Sequence, residues 1–147
     1  MNKIDIVKPY VEKVLKEYLE TETLIVDSDG DVPVRFGSAM YYVRVLDMDP
    51  VLVRVFAPVL RNVKKSAKLF EAINDINASV YGARVFWYDD DVLAVAEMPA
   101  ETLDPAELSA QCANIGGIAD AYDNKLQEEF GGDIFFTDAE GEESVDV

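Results

Sequence analysis

Histidine is absent from this 147-residue sequence, and cysteine occurs once, at Cys112. Without histidine there is no imidazole general base, no Ser-His-Asp or Cys-His nucleophile pair and no ordinary zinc site. A lone thiol excludes an intramolecular disulfide framework, in keeping with a reducing compartment. Basic residues are scarce too: 13 Lys and Arg stand against 29 Asp and Glu, a formal net charge of -16. A chain this acidic repels phosphate backbones, so nucleic acid is not an expected partner. No apolar run approaches the ~20 residues of a spanning helix, and the N-terminus lacks the basic-then-apolar order of a signal peptide. No membrane partner is expected, and the cytoplasm is the expected location.

What is present suits one compact domain, with 50% of the residues hydrophobic. Charge divides by position. Residues 1–84 hold twelve acidic and twelve basic side chains, whereas residues 85–147 hold seventeen acidic ones and a single basic one, Lys125. Residues 1–132 are read as the domain and 133–147 as an acidic tail expected to be disordered, within which Ile134-Phe135-Phe136 alone is apolar enough to dock.

Hydrophobic spacing sets out the elements. Ile4, Val7, Val11, Val14, Leu15 and Tyr18 recur at helical intervals, and Pro9 places the start of regular helix near Asp5. Thr23 to Asp27 reads as a strand, Asp29-Gly30 as a turn, and Val32 to Phe36 as the continuation or partner of that strand. Ala39 to Leu46 and Val51 to Ala57 follow as strands around an Asp-Pro turn. A second helix extends from Val63 to Val80 and ends at Tyr81-Gly82; Ala83 to Asp89 and Val92 to Met98 then form a hairpin. The last helix has the strongest start signal: Asp104 as N-cap, Pro105 at N1, Glu107 at N3, and Leu103 with Leu108 as a hydrophobic staple. Gly116-Gly117 inside it suggests close approach of another backbone or a bend. The order is α-β-β-β-α-β-β-α, an α+β fold with an antiparallel sheet whose apolar face lies under the helices.

Few groupings favour chemistry. Asp27-Ser28-Asp29-Gly30-Asp31 lacks the glycine and glutamate positions of an EF-hand loop and reads as a solvated turn, so no metal site is assigned. Glu97 is expected to pair across strands with an arginine such as Arg84, and Cys112 lies on a buried helical stripe. No catalytic residue and no cofactor are assigned. A carboxylate-based hydrolase would need a deep acidic cleft. The feature left standing is the second sheet face, where alternation places Tyr42, Arg44, Arg54, Phe56, Arg84, Phe86 and Tyr88. Arginine and aromatics supply binding energy at protein interfaces, which makes these seven the candidate partner-binding residues. The alternative is that the second helix packs there, or that arginine stems cover the aromatics within one monomer.

Three stretches carry a family resemblance: Asp29-Gly30-Asp31 leading to Val43-Arg44-Val45, the run from Val51 to Leu60, and the helix segment from Leu69 to Asn77, with Met98-Pro99-Ala100 leading into the last helix. Over about residues 4–130 the chain resembles the YbjN-like family, which belongs with the class I type III secretion (CesT- and Tir-type) chaperones and is common in actinobacteria. The resemblance implies a secretion-chaperone-like fold, a small acidic cytoplasmic protein, frequent homodimerisation, and binding of a protein or peptide client without enzymatic activity. On this reading the client is held, without ATP, against the sheet face and the second helix, in support of protein export. The rival expectation is a dedicated regulatory or structural partner of one specific protein.

Overall fold

A computed structural model describes residues 2–136. Nine elements follow in order: α1 (Lys3–Tyr18), β1 (Val32–Phe36), β2 (Ala39–Leu46), β3 (Leu52–Leu60), α2 (Ala67–Ser79), β4 (Arg84–Tyr88), β5 (Asp91–Pro99), a single 3-10 turn (Ala100–Thr102) and α3 (Pro105–Phe130). The strands form one antiparallel sheet in the order β1-β2-β3-β5-β4. The α+β class and the element order are those read from the sequence.

Strand alternation sorts the side chains. Tyr41, Val43, Val53, Val55, Ala57, Val85, Ala94, Ala96 and Met98 are buried on one face, together with Val11, Val14 and Leu15 of α1, Leu69, Ile73 and Ile76 of α2, and Leu108, Cys112, Ile115 and Ala119 of α3. All three helices therefore cover one side of the sheet, and their apolar stripes are what hold them there. Helix α3 starts as its signals predict: the Asp104 carboxylate accepts from the Glu107 N–H at 2.7 Å, Pro105 takes the first turn, and Leu103 and Leu108 are both buried. Gly116 is needed for a neighbour, though not for a backbone: a Cβ there would lie 2.7 Å from Cγ of Phe36, while Gly117 faces open space. Cys112 is fully buried, and burial pushes its thiol up to about 12, which leaves it a core residue.

Local readings shift in three places. Thr23 to Asp27 is not a strand; Ile25 is 75% exposed and Val26 51%, with no partner strand beside them. The β-branched run there has the composition of a strand, but pairing decides, and the Asp27 N–H instead bonds the Asp31 carbonyl across a turn. Helix α1 begins at Lys3, with Pro9 beyond its first turn, because Asp5 stands at N3 and its carboxylate accepts from the Asn2 N–H. Helix α2 begins at Ala67, since Ser66 caps it by accepting from the Leu69 N–H, and Val63 is buried ahead of it.

The chain does not stop at α3. Gly131 and Gly132 have φ of +76° and +85°, and a Cβ on Gly132 would meet the Arg61 carbonyl at 2.6 Å, so only glycine turns the chain here. Asp133 then pairs antiparallel with Arg61, and the Phe136 N–H bonds the Ser38 carbonyl at 3.1 Å. Ile134 to Phe136 thus packs on the domain, as its apolar character predicts. The disorder expected of 138–147 concerns residues outside those described.

Candidate functional site: the uncovered sheet face

The opposite face of the same strands carries Arg35 from β1; Tyr42 and Arg44 from β2; Arg54 and Phe56 from β3; Leu93, Val95 and Glu97 from β5; and Arg84, Phe86 and Tyr88 from β4. Among the described residues no helix lies over it. Helix α2 packs on the other side, along β4: the Asn77 side-chain amide donates to the Val85 carbonyl and accepts from its N–H, both at 2.8 Å, and Phe70 meets the edge of Trp87. The alternative in which α2 covers the arginines and aromatics is therefore excluded. Nor do the open face and α2 make one flat surface, because they lie on opposite sides and meet only around the β4 edge.

Six of the seven candidates, Arg44, Arg54, Phe56, Arg84, Phe86 and Tyr88, line one groove of about 340 Å3 with Leu93 and Val95. The seventh, Tyr42, stacks on Phe56 across the β2–β3 pair with ring centroids 5.2 Å apart. Register explains the grouping: Tyr42 sits opposite Phe56, Arg44 opposite Arg54, and Arg54 opposite Glu97. The side chains that share a face are neighbours in consecutive strands, so they form a band across the sheet.

Two carboxylates order the arginines. The Glu97 carboxylate accepts from Arg54 at 2.9 and 2.5 Å and from Arg84 at 2.6 Å, the cross-strand pairing expected of it. Burial works against ionisation of Glu97, but the hydrogen bonds and charges of the two arginines outweigh it and hold the carboxyl below its ordinary range. Arg44 donates from Nε and Nη2 to both oxygens of buried Asp31 at 2.6 and 2.7 Å, and that hydrogen bonding raises the Arg44 pKa further. Asp31 itself is fixed by the turn, where the Asp27 carboxylate accepts from the N–H groups of Asp29 and Asp31. The three aspartates converge; Arg44 engages both oxygens of Asp31, which is buried and not solvated as the turn reading expects, and Asp27 closes the turn.

Paired in this way, the guanidinium planes lie beside aromatic rings: Arg44 is 5.0 Å from the Phe56 centroid and Arg84 is 5.5 Å from that of Phe86. One carboxylate serves both Arg54 and Arg84. Aromatic rings and guanidinium groups thus stand side by side on this surface. The Glu97 carboxylate on this face is engaged by two arginines. Sequence reasoning missed Arg35, Arg61 and the place where Phe135 and Phe136 dock. Arg35 could have been found from the alternation within Val32 to Phe36, whereas Arg61 lies past the end of β3 and joins the surface only through the returning C-terminal segment.

Over residues 5–138 the chain matches the model of a family described as T3SS (YopN, CesT) and YbjN peptide-binding chaperone 1. Solved structures share the fold. A chain of the ExsC–ExsE complex superposes with a TM-score of 0.64 at 17% identity, over 86% of this chain and 97% of that one. A chain of the HopA1–SchA chaperone–effector complex gives 0.63 at 12% identity, over 84% and 98%. YbjN from E. coli gives 0.55 at 14% identity, over 86% and 94%. No curated protein matches by sequence.

Proposed function

From the premise that the chain belongs to the T3SS and YbjN peptide-binding chaperone family, a non-enzymatic one, we propose that it holds an extended or unfolded segment of a client protein against the open sheet face. The observation that carries this reading is the arginine-aromatic groove, bounded by six of the seven sequence candidates and left uncovered by the helices. Aromatic side chains of a client would enter between Phe56, Phe86 and Tyr88, and carboxylates or main-chain carbonyls would meet Arg44, Arg54 and Arg84. Holding of this kind uses no nucleotide. The acidity of the remaining surface keeps the loaded protein soluble, and the client chemistry that complements the groove itself is aromatic and acidic. A role in the cytoplasm, in support of protein export, agrees with this reading; no helix among the described residues is long and apolar enough to cross a membrane. Exposed Phe70, Tyr81 and Tyr88 around α2 and the β4 edge support assembly as a homodimer.

The test is suppression of aggregation of a reduced, unfolded model protein by the native chain and by the Arg54→Ala/Phe56→Ala variant. The native chain should suppress aggregation at stoichiometric ratio and the folded variant should not. Equal suppression by both would contradict the assignment of the face. One stoichiometric native partner with no holding of the model protein would favour the dedicated-partner reading.

A further inference from the structure

At the β1–β2 end of the open face the protein already binds a peptide, its own. Phe135 lies 6.3 Å from Tyr42 between ring centroids and has the Arg61 guanidinium 4.2 Å from its ring centre. Phe136 has the Arg35 guanidinium 3.7 Å from its ring centre. Main-chain bonds from Asp133 to Arg61 and from Phe136 to Ser38 fix the segment's course, and the Asn62 amide holds the Asp133 carboxylate at 2.6 Å. Two donors at this corner are unused: Nη2 of Arg35 and Nε of Arg61 are buried and have no hydrogen-bond partner among the described residues. A buried guanidinium nitrogen without an acceptor is costly, and a carboxylate is its natural complement. In the sequence, the residues after the two rings are Thr137, Asp138, Ala139 and Glu140.

We propose that the corner formed by Arg35, Tyr42 and Arg61 recognises short peptide segments with two adjacent aromatic residues followed by carboxylates, and that Phe135-Phe136 fills it in cis as a resident competitor that a client segment must displace. This deepens the peptide-binding reading and rests on it, naming the chemistry of the segment held. Through the stacked pair Tyr42 and Phe56 the corner is continuous with the 340 Å3 groove, so an incoming segment can engage the groove first and the corner second.

The experiment is fluorescence anisotropy with a labelled synthetic peptide of residues 132–140, titrated with the full chain and with its Phe135→Ala/Phe136→Ala variant. The variant should bind the peptide about tenfold more tightly, since the resident rings no longer compete, and adding Arg35→Ala and Arg61→Ala should reverse that gain. Equal affinity for native chain and variant, or a gain indifferent to the arginines, overturns the proposal. Should circular dichroism show the alanine variant misfolded, Phe135→Leu/Phe136→Leu keeps apolar bulk without the rings. A smaller gain is then expected, and no gain overturns the proposal. A native dimer that dissociates in either variant would mean exchange of the segment between copies and would overturn the cis assignment. The unfolded model protein is titrated in parallel: if it is held and the peptide ignored, the motif fails alone; if the peptide binds and the unfolded protein is not held, the motif stands and the holding reading fails.

Discussion

One sheet presents two faces built from alternate residues of the same strands, and they do opposite work. On the helix side Val53, Val55, Ala57, Val92 and Ala94 are almost wholly buried, and the side chains there are small, branched and apolar. On the open side the residues between them, Arg54, Phe56, Leu93 and Arg84, stay partly exposed and are long, aromatic or charged. The first face fixes the fold by burial and close packing; the second is ordered by the Tyr42–Phe56 stack and by ion pairs to Glu97. The contrast places buried apolar side chains and accessible arginines and aromatics within single strands, at a spacing of one residue.

That separation can be broken most strongly from the helix side. Leu108→Ala, at a fully buried position of α3, should lower stability by about 2–5 kcal/mol in urea denaturation while the folded fraction still binds peptide. Gly116→Ala should destabilise by roughly 1–3 kcal/mol, because its methyl group would press on Cγ and Cβ of Phe36. A change on the open side should be milder and should depend on pH. The Glu97 carboxyl is held below its ordinary range, so its contribution is present above that range and is lost as pH falls through the lowered value. Glu97→Gln should therefore cost about 1 kcal/mol near neutrality and narrow to nothing in acid, read as native and variant urea midpoints converging once pH falls below the ordinary carboxylate range; partial exposure of Arg84 keeps the figure small. The smallest effect expected is a gain: Gly117→Ala, facing open space one residue from Gly116, should stabilise by up to about 1 kcal/mol.

Much of the contrast was legible from alternation and capping. Tyr42, Arg44, Arg54, Phe56, Arg84, Phe86 and Tyr88 share one face because a period of two is rigid once a strand is identified, and Asp104 to Leu108 marks the start of α3 with several signals that agree. What escaped were relations between distant parts. Thr23 to Asp27 has strand composition but no neighbour to pair with, and no local pattern reveals that. The side on which α2 lies depends on Asn77 meeting Val85 and on Phe70 meeting Trp87, contacts set by tertiary packing. The return of Phe135 and Phe136 to the open face hinges on the two positive-φ glycines after α3, and no local pattern shows where such a turn directs the chain. The candidate site was thus readable as a set of residues and the C-terminal segment as one able to dock, but not that the two meet.

The central claim is that clients meet the open face and not the helices. Site-specific photo-crosslinking tests it most directly, with p-benzoylphenylalanine placed in separate folded proteins at position 56 on the open face and at position 70 on α2, each irradiated with the same unfolded model protein. The account predicts a covalent adduct from position 56 and none from position 70. An adduct from position 70 alone would contradict it.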